Sequence, residues 1–173
     1  MNIARLYRWA IRLLPHLPEP LIYLLCDGAA LAILLAKPAI CRNILSNLAH
    51  TQPQSSRWRR LVLARQVQAY VLRHYADLLR LPSFSRAALR QRFEITGLEH
   101  LDRVVAAGRG GMLAVPHCGS FSTILACLAA LGYPLVLVVE RMEPPELLEI
   151  VSELRRSHGL EAVSYTHLTL PTN

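Results

Sequence analysis

The chain is 173 residues long, 53% apolar and carries a formal net charge of +7; that is enough length for one domain with a sizeable core, and too apolar for a disordered polymer. Every basic side chain except Lys37 is an arginine, a cation that keeps its charge when buried and grips phosphate oxygens through two N–H groups, so an acidic partner is implied: an anionic membrane surface, a phosphate-bearing carrier or nucleic acid. The four cysteines, Cys26, Cys41, Cys118 and Cys127, form no CxxC pair and share no zinc spacing with the histidines, which argues against a metal site and fits a reduced cytoplasmic setting.

Residues 1–15 set Arg5, Arg8 and Arg12 among Ile3, Leu6, Trp9, Ala10 and Leu13, the pattern of a basic amphipathic helix and not of a cleavable signal. Residues 21–36 are the most hydrophobic stretch, yet fewer than the roughly 20 needed to span a bilayer. They also contain Asp27 and Gly28. Basic residues flank the stretch on both sides, so it is read as a membrane-embedded or interfacial helix in preference to a buried core helix. Residues 55–81 repeat apolar side chains at Leu61, Leu63, Val67, Tyr70, Val71, Tyr75, Leu78 and Leu79, one face of a long helix whose other face is rich in arginine. Leu81-Pro82-Ser83 ends it, and a short helix is expected at 86–91. Residues 1–92 are thus expected to form a helical region with a membrane-associated segment.

From there strand and helix signals alternate. Residues 93–96 read as a short strand, 98–107 as a helix closed by Gly108, and 112–115 as a buried strand. A second unit follows, with a small-residue helix at 121–131 ending at Gly132, a run of β-formers at 135–139, and a helix at 144–156. Continuous apolar strands separated by helices imply an α/β fold, a mostly parallel and incomplete sheet flanked by helices, over residues 93–162. The Gly108-Arg109-Gly110-Gly111 stretch lacks the Gly-Lys-Ser/Thr of a P-loop and reads as the turn into a strand.

His117 follows the expected strand 112–115 and precedes a helix, at the carboxyl end of a parallel strand where α/β sheets place ligands. A helix N-terminus there offers N–H groups to developing negative charge, and Gly119 permits close approach of a substrate. Cys118 is a poor nucleophile candidate, because consecutive residues at a strand end project in different directions and cannot easily share a proton.

Three blocks, Gly97-Leu98-Glu99-His100-Leu101, Ala107 through Gly111, and Pro116-His117-Cys118-Gly119-Ser120-Phe121-Ser122, occur in an order that resembles the bacterial lysophospholipid acyltransferase family, in its lipid A and phosphatidylinositol mannoside acyltransferase branch. The resemblance extends over Val138 to Leu147 and Arg155 to Gly159, and more weakly over the N-terminal helices including Arg42-Asn43. It implies an O-acyltransferase that moves a fatty acyl chain from acyl-CoA or acyl carrier protein, used as a substrate and with no cofactor, to a hydroxyl of a membrane glycolipid or lysophospholipid. It places the enzyme on the cytoplasmic face of the bacterial inner membrane, with the anionic lipid surface as a partner. No nucleic acid is expected, since the aromatics are few and do not interleave with the arginines.

In that family a histidine and an acid five positions later form a dyad; His117 matches the base, while Ser122 occupies the acid's position. A serine hydroxyl can hold an imidazole by a hydrogen bond but cannot offset an imidazolium charge. A weakened or non-catalytic lipid-binding homologue, replacement of the acid by Glu140, and a sequence error near the fragment's end all remain open. Glu140 and Arg155 match polar positions around the family's active site, for substrate binding or as a structural ion pair, whereas Arg141 and Arg156 are read as solvated or phosphate-facing. Residues 163–173, Val-Ser-Tyr-Thr-His-Leu-Thr-Leu-Pro-Thr-Asn, resemble the translation of a DNA-library adapter. They are expected to be non-native, with the natural protein continuing past Ala162.

Overall fold

The computed structural model describes residues 3–140 and 142–164. In chain order these form helices α1 (Ile3–Leu13), α2 (Glu19–Ala36), α3 (Pro38–Thr51), α4 (Arg57–Arg80), α5 (Arg86–Arg92), α6 (Leu98–Ala106) and α7 (Phe121–Leu131). Strand β1 (Val136–Val139), helix α8 (Pro145–Arg156) and strand β2 (Glu161–Ser164) complete the order. Single 3-10 turns follow α1 at Leu14–His16 and α4 at Leu81–Ser83, each with a proline in its first turn. The chain divides into two compact units, Arg12–Asp77 and a second built from the residues up to Ile11 and those from Leu78 onward.

In the first unit, α2 starts with Glu19 and a proline in its first turn, where a carboxylate suits the helix dipole and a missing N–H costs nothing. Ile22, Ala30 and Leu34 are buried, while Leu24, Leu25, Leu31 and Leu35 are exposed. Polar ties hold α2 to α4. The Tyr23 hydroxyl donates to both Asp77 carboxylate oxygens at 3.1 and 3.3 Å, Arg73 Nη2 donates to Asp27 Oδ1 at 2.7 Å, and the Arg73 guanidinium lies 5.0 Å over the Tyr23 ring.

These ties correct part of the face expected of α4. Leu78 and Leu79 are buried as expected, but Val67, Tyr70, Val71 and Tyr75 are exposed, and Ala64, Ala69, Ala76 and Asp77 are buried in their place. Small side chains let a neighbouring helix approach, and a buried carboxylate must face its donor, so the helix rotates its polar residues inward at the expense of its larger apolar ones.

In the second unit, β1 and β2 pair in parallel, Val136 opposite Glu161 through Val139 opposite Ser164, with α8 as the crossover between them. β2 takes in Val163 and Ser164, the first two residues of the stretch expected to be non-native; the other nine lie outside the described residues. Helix α7 is the central element, with Ser122, Thr123 and Leu125 through Ala130 all buried. Its Leu125, Leu128 and Ala129 form a core with Leu160, against which Ile95, Leu98, Val115, Phe121 and Leu137 pack. Helix α5 lies along α7, burying Leu89 and Cys127 completely.

The sheet is smaller than the sequence pattern implies. Residues 93–96 and 112–115 are not strands; Ile95 and Val115 reach the core, but Met112 is 98% exposed. An apolar run becomes a strand only when its N–H and C=O groups find a neighbouring edge. Among the described residues β1 and β2 bond to each other and leave 112–115 without one. The fold is therefore mostly helical, with a small parallel sheet.

Candidate active site

His117 lies in the segment between α6 and α7, held by a tight turn in which Cys118 N–H donates to Pro116 O at 2.8 Å. An i to i+2 bond with no positive φ at a non-glycine residue is an inverse γ-turn centred on His117. This turn does what the expected strand end was to do: it presents the imidazole, which is exposed, just before a helix N-terminus. Gly119 has φ 58. A Cβ there would meet nothing within 4 Å, so backbone conformation, not crowding, calls for glycine, and the space above it is open to a ligand.

Helix α7 then begins at Phe121 with no side-chain cap. The Phe121 ring packs against the imidazole, centroids 4.4 Å apart and planes tilted by 58°, while its other contacts are with the core. Ser122 is fully buried, and its hydroxyl has no hydrogen-bond partner among the described residues, so it makes no hydrogen bond to the His117 ring there. Thr123 beside it is likewise fully buried, with an unpartnered hydroxyl.

Glu140 follows the end of β1 and is exposed. Arg155 sits on α8 at 8% exposure, and its backbone carbonyl accepts from His158 N at 3.2 Å and Leu160 N at 3.3 Å, bonds that close α8 and turn the chain into β2. Arg156 is exposed, and Arg141 lies outside the described residues. Cys118 is exposed. Cys127 is buried, its thiol donates to Leu89 O at 3.3 Å, and burial pushes its pKa up, which keeps it protonated and inert.

One residue escaped the sequence reading of the site: Phe121, whose ring contacts the imidazole. His158 is 5% exposed, and its Nε2 lies 2.8 Å from Leu81 O, bridging 77 positions of sequence. A carbonyl only accepts, so Nε2 carries the proton. The stretch Arg155–Gly159, which helped carry the family resemblance, thus anchors α8 to the turn after α4. A groove of about 580 Å³ lined by Arg8, Ile11, Pro82, Glu149, Ile150 and Leu154, among others, contains none of the residues assigned to the site.

Comparison with known proteins bears on the same residues. Residues 2–167 match the family model described as bacterial lipid A biosynthesis acyltransferase. The phosphatidylinositol mannoside acyltransferase of Mycolicibacterium smegmatis is 31% identical over 104 residues, covering 60% of this chain and 34% of that protein. The protein of the same name from Mycobacterium tuberculosis is 32% identical over 93 residues, 53% of this chain and 29% of its own. The chain therefore spans about a third of the length of the curated relatives it matches.

Proposed function

Because the chain belongs to the bacterial lipid A biosynthesis acyltransferase family, we propose that the protein transfers a fatty acyl group from acyl-CoA or acyl carrier protein to a hydroxyl of a membrane glycolipid, with His117 as the general base. The observation that carries this reading is the exposed imidazole on its γ-turn, presented at the start of α7 and backed by Phe121. The imidazole takes the proton of the acceptor hydroxyl as that oxygen attacks the thioester carbonyl. N–H groups at the start of α7 offset the negative charge on the carbonyl oxygen. Collapse then breaks the carbon–sulfur bond, and the imidazolium returns the proton to the departing thiolate. No side chain becomes acylated.

The acceptor is best read as a phosphatidylinositol mannoside. The named mycobacterial relatives support it, with a lipid A precursor or lysophospholipid as the nearest alternatives. Gly119, Glu140 and Arg155 are assigned to substrate binding. The setting is the cytoplasmic face of the inner membrane, where the exposed leucines of α2 and the arginines of α1 suit an interfacial position on anionic lipid. The Asp27–Arg73 pair favours that over spanning, because α2 would have to carry a paired charge through hydrocarbon.

The test is acyl transfer by the full-length protein from each donor to phosphatidylinositol mannoside in vesicles, for wild type and His117→Ala. Transfer by wild type and its loss in the variant are expected. Lipid binding by both with transfer by neither would make the protein a non-catalytic lipid-binding homologue. Deletion of residues 1–37 is expected to abolish vesicle binding, and unchanged sedimentation with vesicles would contradict the interfacial placement.

A further inference from the structure

We infer that Phe121 is a positioning residue for the His117 base, fixing the orientation of the imidazole by ring contact; this rests on the reading of His117 as the base. Among the described residues, the ring contact recorded for the imidazole is with Phe121, at 4.4 Å between centroids. The side chain five positions after the histidine is turned away into the protein, its hydroxyl fully buried and unpartnered. An imidazole on an exposed turn would otherwise rotate freely about its two side-chain torsions.

Phe121 removes that freedom because it is itself fixed. It is the first residue of α7, half-buried, and packs against the core formed by Leu125, Leu128, Ala129 and Leu160. Its spacing of four from His117 follows from the γ-turn and the short loop through Gly119, which folds the imidazole back over the first turn of α7. The contact covers part of the imidazole with an apolar ring and leaves the rest of it exposed for the acceptor hydroxyl.

The experiment compares full-length wild type, Phe121→Leu, Phe121→Tyr, His117→Ala and, as a core-packing control, Leu125→Ala, in steady-state acyl transfer and by NMR of the histidine ring protons. Phe121→Leu is expected to lower kcat about tenfold, equivalent to about 1.4 kcal/mol of barrier, with the donor KM changed less than about twofold, and Phe121→Tyr to restore most of the rate. In wild type the His117 ring protons are expected upfield from aromatic ring current, and the leucine variant is expected to lose that displacement. Wild-type kcat in Phe121→Leu overturns the inference, as does a loss that Leu125→Ala reproduces at equal destabilisation, or unshifted His117 protons in wild type. Those results alongside an inactive His117→Ala leave the base assignment standing; an active His117→Ala overturns both.

Discussion

At its C-terminal end α7 meets its polar needs within the fold. Gly132 adopts φ 104, and Gly132 N and Tyr133 N donate back to Ala129 O and Leu128 O at 3.0 and 3.2 Å. Arg90 donates to Ala130 O at 2.7 Å, setting a cation where the helix dipole is negative. The N-terminal end of the same helix is built otherwise. Among the described residues it has no side-chain cap, two buried hydroxyls without partners, and an exposed imidazole laid against its first ring. One end has the features of a structural joint; the other carries costs that stability alone does not explain, and the chemistry proposed for His117 supplies a reason for them.

Changes to α7 should expose that asymmetry. Leu125→Ala, in the shared core, is expected to cost about 2–5 kcal/mol in urea unfolding. A loss well below that range would mean the helix is not the centre of its unit. Gly132→Ala forces a side chain into a left-handed conformation at the closed end and should cost about 1–2 kcal/mol. A neutral result would show that this joint is not needed.

At the open end little or no loss is expected. Ser122→Ala and Thr123→Val each remove a buried hydroxyl that has no partner, so unfolding free energy should stay within about 1 kcal/mol of wild type or rise. A drop beyond that range in either variant would reveal a partner for the hydroxyl and erase the contrast. The smallest effect concerns accessibility. A thiol reagent is expected to modify exposed Cys118 in the native protein, and Cys127, buried and with its pKa raised, only on unfolding. Equal labelling of both, followed by mass spectrometry, would contradict the packing of α5 on α7.

Much of this end-to-end contrast was visible in the amino-acid sequence, and the rest was hidden for physical reasons. The limits of α7 followed from a run of small and apolar residues closed by Gly132, and β1 and α8 were found to within a residue because their signals are local. Residues 112–115 look like a strand by composition, but strand formation depends on a partner edge, which composition does not encode. The buried face of α4 was read correctly at Leu78 and Leu79 but misread before them, because there it is set by Tyr23–Asp77 and Arg73–Asp27, pairs 54 and 46 positions apart. At the site, the family motif pointed to His117 and to an acid's position at Ser122. It could not reveal that Ser122 points inward, or that the γ-turn folds the imidazole onto Phe121.

Side-by-side acyl-transfer rates for His117→Ala and Ser122→Ala in the full-length protein would decide whether the open end of α7 is a catalytic site in which the base works without Ser122. His117→Ala should lose about 10²- to 10⁴-fold in kcat, the usual contribution of a general base, while Ser122→Ala should retain nearly all of its rate. Equal losses in the two variants would mean that the residues act as a dyad after all, and full activity in His117→Ala would remove the base from the mechanism.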